Sequence, residues 1–152
     1  MLIRNILEES ARKFDEVKAV KWLKKKEIME RSYGELMENV VSTRKGLLAE
    51  GFEGKHIALI GTSSVEWMES YLGIITGCTT AVPLDAALPC EDLIDLLNRS
   101  DSAALFLSPK LKPYLDAFLE NCPKLQKVWM LQEEVEDAPA KVYGIGELRN
   151  AG

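Results

Sequence analysis

The sequence is poor in the residues that most site chemistry needs. It has a single histidine, His56, and three cysteines, Cys78, Cys90 and Cys122, none in C-x-x-C spacing. An odd, widely spaced set argues for free thiols in a reducing compartment and against a zinc site. No G-x-x-x-x-G-K-[ST], G-x-G-x-x-G or G-x-S-x-G pattern occurs, so the common phosphate loops and the nucleophile elbow are excluded. No apolar run has the length that spans a bilayer. The opening MLIRNILEESARKF carries Glu8 and Glu9 and no apolar h-region, so it is not a signal peptide. With a net charge of −5 and no basic cluster interleaved with aromatics, nucleic acid is not expected as a partner. A soluble, cytoplasmic chain is the expectation.

What is present is globular. The 152 residues are 47% hydrophobic and 28% charged, enough to build one ordinary core. The chain is organised around residues 56–85. An apolar run, Ile57-Ala58-Leu59-Ile60, ends at Gly61 and the hydroxyl-rich turn Thr62-Ser63-Ser64. A helix is expected from about Val65 to Thr76, opened by a capping box of Ser63 with Glu66 and closed by Gly77 at C′. A second strand, Thr79 to Val82, stops at Pro83. Strand, turn, helix and strand at this spacing predict a βαβ unit with parallel strands. On a wheel, Val65, Trp67, Met68, Tyr71, Leu72, Ile74 and Ile75 share the apolar half of the helix; Glu66, Glu69, Ser70, Gly73 and Thr76 share the other. That split predicts Met68, Leu72 and Ile75 against the domain's own sheet, with Trp67 near an uncovered border.

The flanks follow the same logic. Residues 1–31 read as an amphipathic helix to about Phe14 and a hairpin turning at Lys24-Lys25-Lys26. Residues 32–132 read as a long helix and parallel β/α units. Ser32 with Glu35 caps the long helix, which carries Arg44 amid its apolar stripe; the arginine stem should pack while its head reaches water. Pro89 opens a helix through Leu97, and Ala103 to Leu107 is a third parallel strand. Ser108-Pro109 opens another helix, which tolerates Pro113 only in its first turn. Lys127 to Leu131 is a fourth strand. Residues 133–152 read as an acidic loop, Glu133 to Asp137, then the start of one more element. The predicted fold is α/β: a parallel sheet flanked by helices, with an N-terminal helix and β-hairpin.

Ligands of open parallel sheets bind beyond the carboxyl ends of the strands. The polar residues there are Thr62, Ser63 and Ser64, a turn that could face an anion or simply cap its helix, and Asp85, a strand-end residue with no second carboxylate beside it in the sequence. Capping explains the hydroxyls without a ligand. Cys78, at a helix C-terminus, is expected to be buried and inert. No catalytic set and no metal site emerges from the residues.

Taken in order, Ser32-Tyr33-Gly34-Glu35-Leu36, Gly51 to Ala58, Ser63 to Trp67, Ala81 to Asp85 and Ser100-Asp101-Ser102-Ala103 resemble the early pattern of adenylate-forming enzymes. That is the AMP-binding superfamily of acyl-CoA synthetases, luciferases and adenylation domains. His56, Ser63, Val65 and Ala86 depart from its usual Arg, Asn, Pro and Pro. The resemblance implies the first α/β subdomain of an ATP-dependent ligase, most like a fatty-acid–CoA ligase, working through an acyl-adenylate. It implies ATP, Mg²⁺ and CoA as cofactors of a parent enzyme and none bound to this piece. The implied partners are a small carboxylic acid and the remainder of its own chain, with self-association of the isolated piece through an apolar patch near Trp67. The family's phosphate-gripping loop, its adenine and ribose motifs and its C-terminal lysine are absent from the sequence, so Asn150-Ala151-Gly152 reads as a cut and the piece as inactive. The residues by themselves also fit a stand-alone flavodoxin-like module holding a phosphate such as that of FMN, or a structural domain.

Overall fold

The computed structural model describes residues 2–132 and 134–151; Met1, Gly152 and Glu133, the expected start of the acidic loop, lie outside them. Helix α1 (Ile3–Lys13) leads into a hairpin, β1 (Lys18–Lys24) and β2 (Glu27–Ser32), and then into α2 (Tyr33–Ala49). The β/α part follows as β3 (His56–Ile60), α3 (Val65–Ile75), β4 (Thr80–Leu84), α4 (Cys90–Arg99) and β5 (Ser102–Leu107). A 3₁₀ turn (Pro109–Tyr114), α5 (Leu115–Asn121), β6 (Lys127–Met130), β7 (Val142–Gly144) and α6 (Ile145–Ala151) complete it.

Strands β4-β3-β5-β6-β7 form one sheet in that order, every pair parallel. The sequence predicts four of these strands. The fifth, β7, has three residues, too few to show a period, and exists because it pairs with β6. Pro113 lies in the 3₁₀ turn, before α5 begins, so it breaks no α-helical ladder.

The hairpin turns on Lys25 and Lys26, both in the left-handed region at φ 49° and 68°. Two positive φ values are what a two-residue primed turn requires, and lysines occupy it where Asn-Gly would be cheaper. Ser32 caps α2 as expected: its Oγ accepts from the Glu35 N–H at 3.1 Å, and Glu35 Oε1 accepts from the Ser32 N–H at 3.0 Å. These bonds hold the Glu35 carboxyl below its usual range.

The sheet separates two apolar cores, because successive side chains of a strand point to opposite faces. Ala58, Ile60, Leu105, Leu107, Val128 and Met130 meet α4 and α5 on one face. Ile57, Leu59, Ala104, Phe106 and Trp129 meet α2, α3 and α6 on the other. Strand β5 is buried along its whole length, as its unbroken apolar run demands.

Helix α3 does not sit as its wheel predicts. Trp67 and Tyr71, stacked at 5.3 Å, pack on the core of the domain's own sheet, whereas Met68, Leu72 and Ile75 are half-buried and join neither core. The expected patch bordered by Trp67 is therefore misplaced. Helix α2 is the reason, because it covers the side of α3 that carries Glu69, Ser70 and Gly73, all of them buried. Gly73 permits the approach: a Cβ there would stand 2.8 Å from Thr43 Cβ.

Glu69 is fully buried and joins four elements. Asn39 Nδ2 of α2 donates to its Oε2 at 2.8 Å, and Arg149 Nη2 of α6 reaches Oε1 at 3.5 Å. Arg31 Nε of β2 lies 3.0 Å from Oε2, an ionic contact whose N–H does not aim at the oxygen. Arg149 Nε also donates to Thr43 Oγ1 at 3.1 Å. Burial pushes the Glu69 carboxyl above its usual range, against the pull of Asn39, Arg149 and Arg31.

Two smaller expectations are also corrected. Gly77 follows α3 at C′ but is not among the left-handed glycines, which are Gly51 and Gly54. It is glycine because the Arg44 stem lies across it, with Cγ 2.9 Å from where a Cβ would be. Cys78 is exposed, since the turn before β4 carries it outward.

Candidate functional site: the carboxyl ends of the strands

After β3 the chain turns to the face of α2 and α3, whereas after β4 and β5, the two neighbours of β3, it turns to the face of α4 and α5. Where neighbouring strands send their loops to opposite faces, a crevice opens between the loops. Here β3 has such a neighbour on each side, and two clefts flank its turn.

The cleft towards β4, of about 470 Å³, is lined by Gly61, Thr62, Ser63, Trp67, Asp85 and Lys110. The cleft towards β5 and β6, of about 480 Å³, takes Thr62, Ser64, Glu66, Ser108, Lys110 and Gln132, with Lys24 of the hairpin. The structure thus brings Thr62, Ser63 and Asp85 to one opening and puts Ser64 on the other. Lys110 reaches both, and sequence reasoning missed it. Its signal was its place, two residues beyond the hydroxyl that ends β5.

The turn itself is tightly built. A Cβ on Gly61 would stand 2.2 Å from Ser108 Oγ, so any larger residue would displace the Ser108 hydroxyl. Ser108 Oγ accepts from the Thr62 N–H at 3.2 Å, which occupies one amide that an anion would otherwise use. The cap is one residue later than predicted. Ser64 is the N-cap, its Oγ accepting from the Trp67 N–H at 3.1 Å; the expected box of Ser63 with Glu66 does not form. Sequence spacing alone gives both serines equal claim, and the first helical turn decides between them.

Thr62 and Ser63 are consequently exposed at the cleft with no hydrogen bond from their side chains among the described residues. Asp85 Oδ1 accepts from the Ala87 N–H at 2.9 Å, the Asx turn of a loop residue. Ser64→Ala should cost about 1 kcal/mol of stability and Ser63→Ala close to nothing. Paired urea melts check this, and equal losses would return the cap to Ser63.

The opening offers hydroxyls, one carboxylate and one ammonium on an open surface. That set can meet a small polar group but provides no nucleophile–base pair. Among the described residues, no group of three or more His, Cys, Asp or Glu side chains gathers as a metal site.

This architecture is that of adenylate-forming ligases, and the sequence agrees. The profile of the AMP-binding enzyme family matches residues 7–148, nearly the whole chain, and the chain belongs to that family. No curated protein sequence matches it. Among solved structures it superposes on coronafacic acid ligase from Pectobacterium brasiliense at a TM-score of 0.85 and 21% identity, covering 99% of this chain and 29% of that one. The anthranilate CoA ligase AuaEII in complex with anthranoyl-AMP gives 0.83 at 17% identity, with 97% and 27% covered. The N-terminal domain of FACL13 from Mycobacterium tuberculosis gives 0.79 at 18% identity, with 97% and 35% covered. The chain therefore spans about a third or less of the length of these proteins.

Proposed function

We propose that this chain is the first α/β subdomain of a cytoplasmic ATP-dependent carboxylic acid–CoA ligase, and that it is inactive by itself. One observation carries the reading. The family match runs through almost the entire chain, yet the chain superposes on only 27 to 35% of each ligase compared. The parent would join a fatty or aryl acid to AMP, releasing pyrophosphate, and then pass the acyl group to CoA. Mg²⁺–ATP, CoA and the acid are its expected ligands, and the rest of its own chain the expected partner of this piece.

The strand-end residues do not fit Mg²⁺–ATP. At the cleft towards β4 Lys110 is one cation for a triphosphate, Asp85 is one carboxylate for a metal, and the Thr62 N–H is already bonded within the turn; the other cleft adds only Lys24 and Glu66, one charge of each sign. The role left for them is to shape one wall of the enzyme.

The test is ATP–pyrophosphate exchange with a panel of fatty and aryl acids. Without preorganised donors for the charge that develops on the α-phosphate, the dominant catalytic contribution is missing. Pure chain should therefore give no exchange above a no-protein blank. Exchange above that blank would refute the inactive-piece reading.

A further inference from the structure

The hairpin of β1 and β2 is a sheet of its own, apart from the five-stranded one, and nothing covers its outer half. Residues 23–30 are exposed without a break. Its two faces differ, because side chains alternate along each strand. Trp22 and Arg31 turn inward, the guanidinium 5.4 Å from the centre of the indole ring and Nε 3.0 Å from the buried Glu69. The register partners Lys21 and Glu30 turn outward, as do the next such pair towards the tip, Leu23 and Ile28. Leu23 is 71% exposed and Ile28 73%, the most exposed large apolar side chains among the described residues.

Positive charge surrounds that pair. Residues 18–32 hold six basic side chains against two acidic ones, in a chain whose net charge is −5. Lys18 and Lys21 lie near Glu30, and Arg31 is held by Glu69. Lys24, Lys25 and Lys26, at the tip, form no ion pair among the described residues. Lys25 and Lys26 also occupy left-handed backbone that Asn-Gly would hold with less strain.

The stability of the hairpin accounts for little of this. A cross-strand pair at 23 and 28 supports the register, but two threonines would do so without exposing aliphatic surface. Lysines protect an exposed edge from aggregation, whereas Leu23 and Ile28 promote it. A convex tip has no groove to seat a peptide or a helix. Aliphatic side chains ringed by unpaired cations fit a surface that is anionic outside and apolar just beneath, and an anionic bilayer is such a surface.

We propose that the tip of the β1–β2 hairpin docks this chain on the surface of an anionic membrane. Leu23 and Ile28 enter the boundary between headgroups and acyl chains, and Lys24, Lys25 and Lys26 meet the anionic headgroups. No helix among the described residues is long and apolar enough to cross a membrane, and a single hairpin tip gives only reversible association. Lys24 also lines the cleft towards β5 and β6, so docking brings the mouth of that cleft beside the lipid. The inference does not depend on the ligase reading.

Co-sedimentation with vesicles tests it, using phosphatidylcholine alone and phosphatidylcholine with about one-third phosphatidylserine. The anionic vesicles should bind the chain at low ionic strength and release it as salt screens the contact, and the neutral ones should bind little. Leu23→Thr with Ile28→Thr keeps the charge and the strand preference, and should weaken binding on the order of tenfold. Lys25→Asn with Lys26→Gly should weaken it about twenty-five-fold, about fivefold for each charge, while raising the melting temperature. Binding lost from a more stable protein cannot come from misfolding. Leu48→Thr, 53% exposed at the far end of α2, should change nothing. Equal binding to both kinds of vesicle, or binding to neither, would overturn the proposal. So would lysine-dependent binding that the two threonines leave unchanged, since the partner would then be an acidic macromolecule and not a bilayer.

Discussion

Replacing Glu69 with alanine should cost about 3–5 kcal/mol, the range found when one partner of a buried ion pair is removed. The carboxylate is fully buried, so the deletion removes the acceptor of the Asn39 amide and one of the contacts of Arg149, which is 8% exposed. A loss of that size is a large share of a domain stability of roughly 5–15 kcal/mol. Glu69→Gln should cost much less, on the order of 1 kcal/mol, because the amide oxygen can still accept from Asn39.

The pH dependence has a definite sign. Burial raises the folded pKa of Glu69 above the ordinary 4.5, so between the two values the native state holds a proton that the unfolded state has lost. The contribution of this group is complete below 4.5 and is lost as the pH rises through the raised folded value. Glu35 and Asp101 are shifted down and act in the opposite sense, losing stability as the pH falls. The difference between wild type and Glu69→Gln, measured by urea melts across this range, isolates the buried carboxyl. A difference independent of pH, or Ala and Gln variants of equal stability, would remove Glu69 from its central place.

Gly46→Ala should destabilise the protein where helix propensity alone predicts the reverse. In the last turn of α2 the exchange favours the helix by at most about 0.8–1 kcal/mol, the value for a helix interior. A Cβ at Gly46 would, however, stand 2.2 Å from the backbone oxygen of Leu148, and backbone cannot swing aside. Helix α6 must then lift from α2, carrying Arg149 away from Glu69 and Thr43. Overpacking of this kind costs about 1–3 kcal/mol, enough to outweigh the propensity gain. Thermal denaturation should show a fall of about 2–4 °C per kcal/mol for a chain of this size. A rise in Tm would mean that α6 is held more loosely than its contacts indicate.

Family membership was legible because it rests on ordered local patterns: Ser32 to Leu36, Ser63 to Trp67 and Ala81 to Asp85 each sit at a turn or cap where backbone geometry restricts the residue. The candidate site was legible in part. Thr62, Ser63 and Asp85 follow from the rule that strand ends carry ligands, because a strand end can be read from the end of an apolar run. Lys110 follows from the same rule but stands behind a proline turn whose direction only the fold reveals. The two clefts depend on which strands are neighbours, and sequence order says nothing of that.

The sequence by itself determined the order of elements, the cap of α2 and the apolar runs that become β3 and β5, because these depend on residues within a few positions of one another. Only tertiary structure decided that β3 lies between β4 and β5, that β7 exists, and that Ser64 rather than Ser63 caps α3. It also decided that the polar side of α3 is buried. Glycines 46 and 73 let α6 and α3 approach α2 so closely that a glutamate is enclosed, and its partners come from β2, α2 and α6. A helical wheel records only how polar each residue is. Whether a polar residue meets water depends on which surface is pressed against it, and here that surface is supplied by segments from 30 to 80 positions away along the chain.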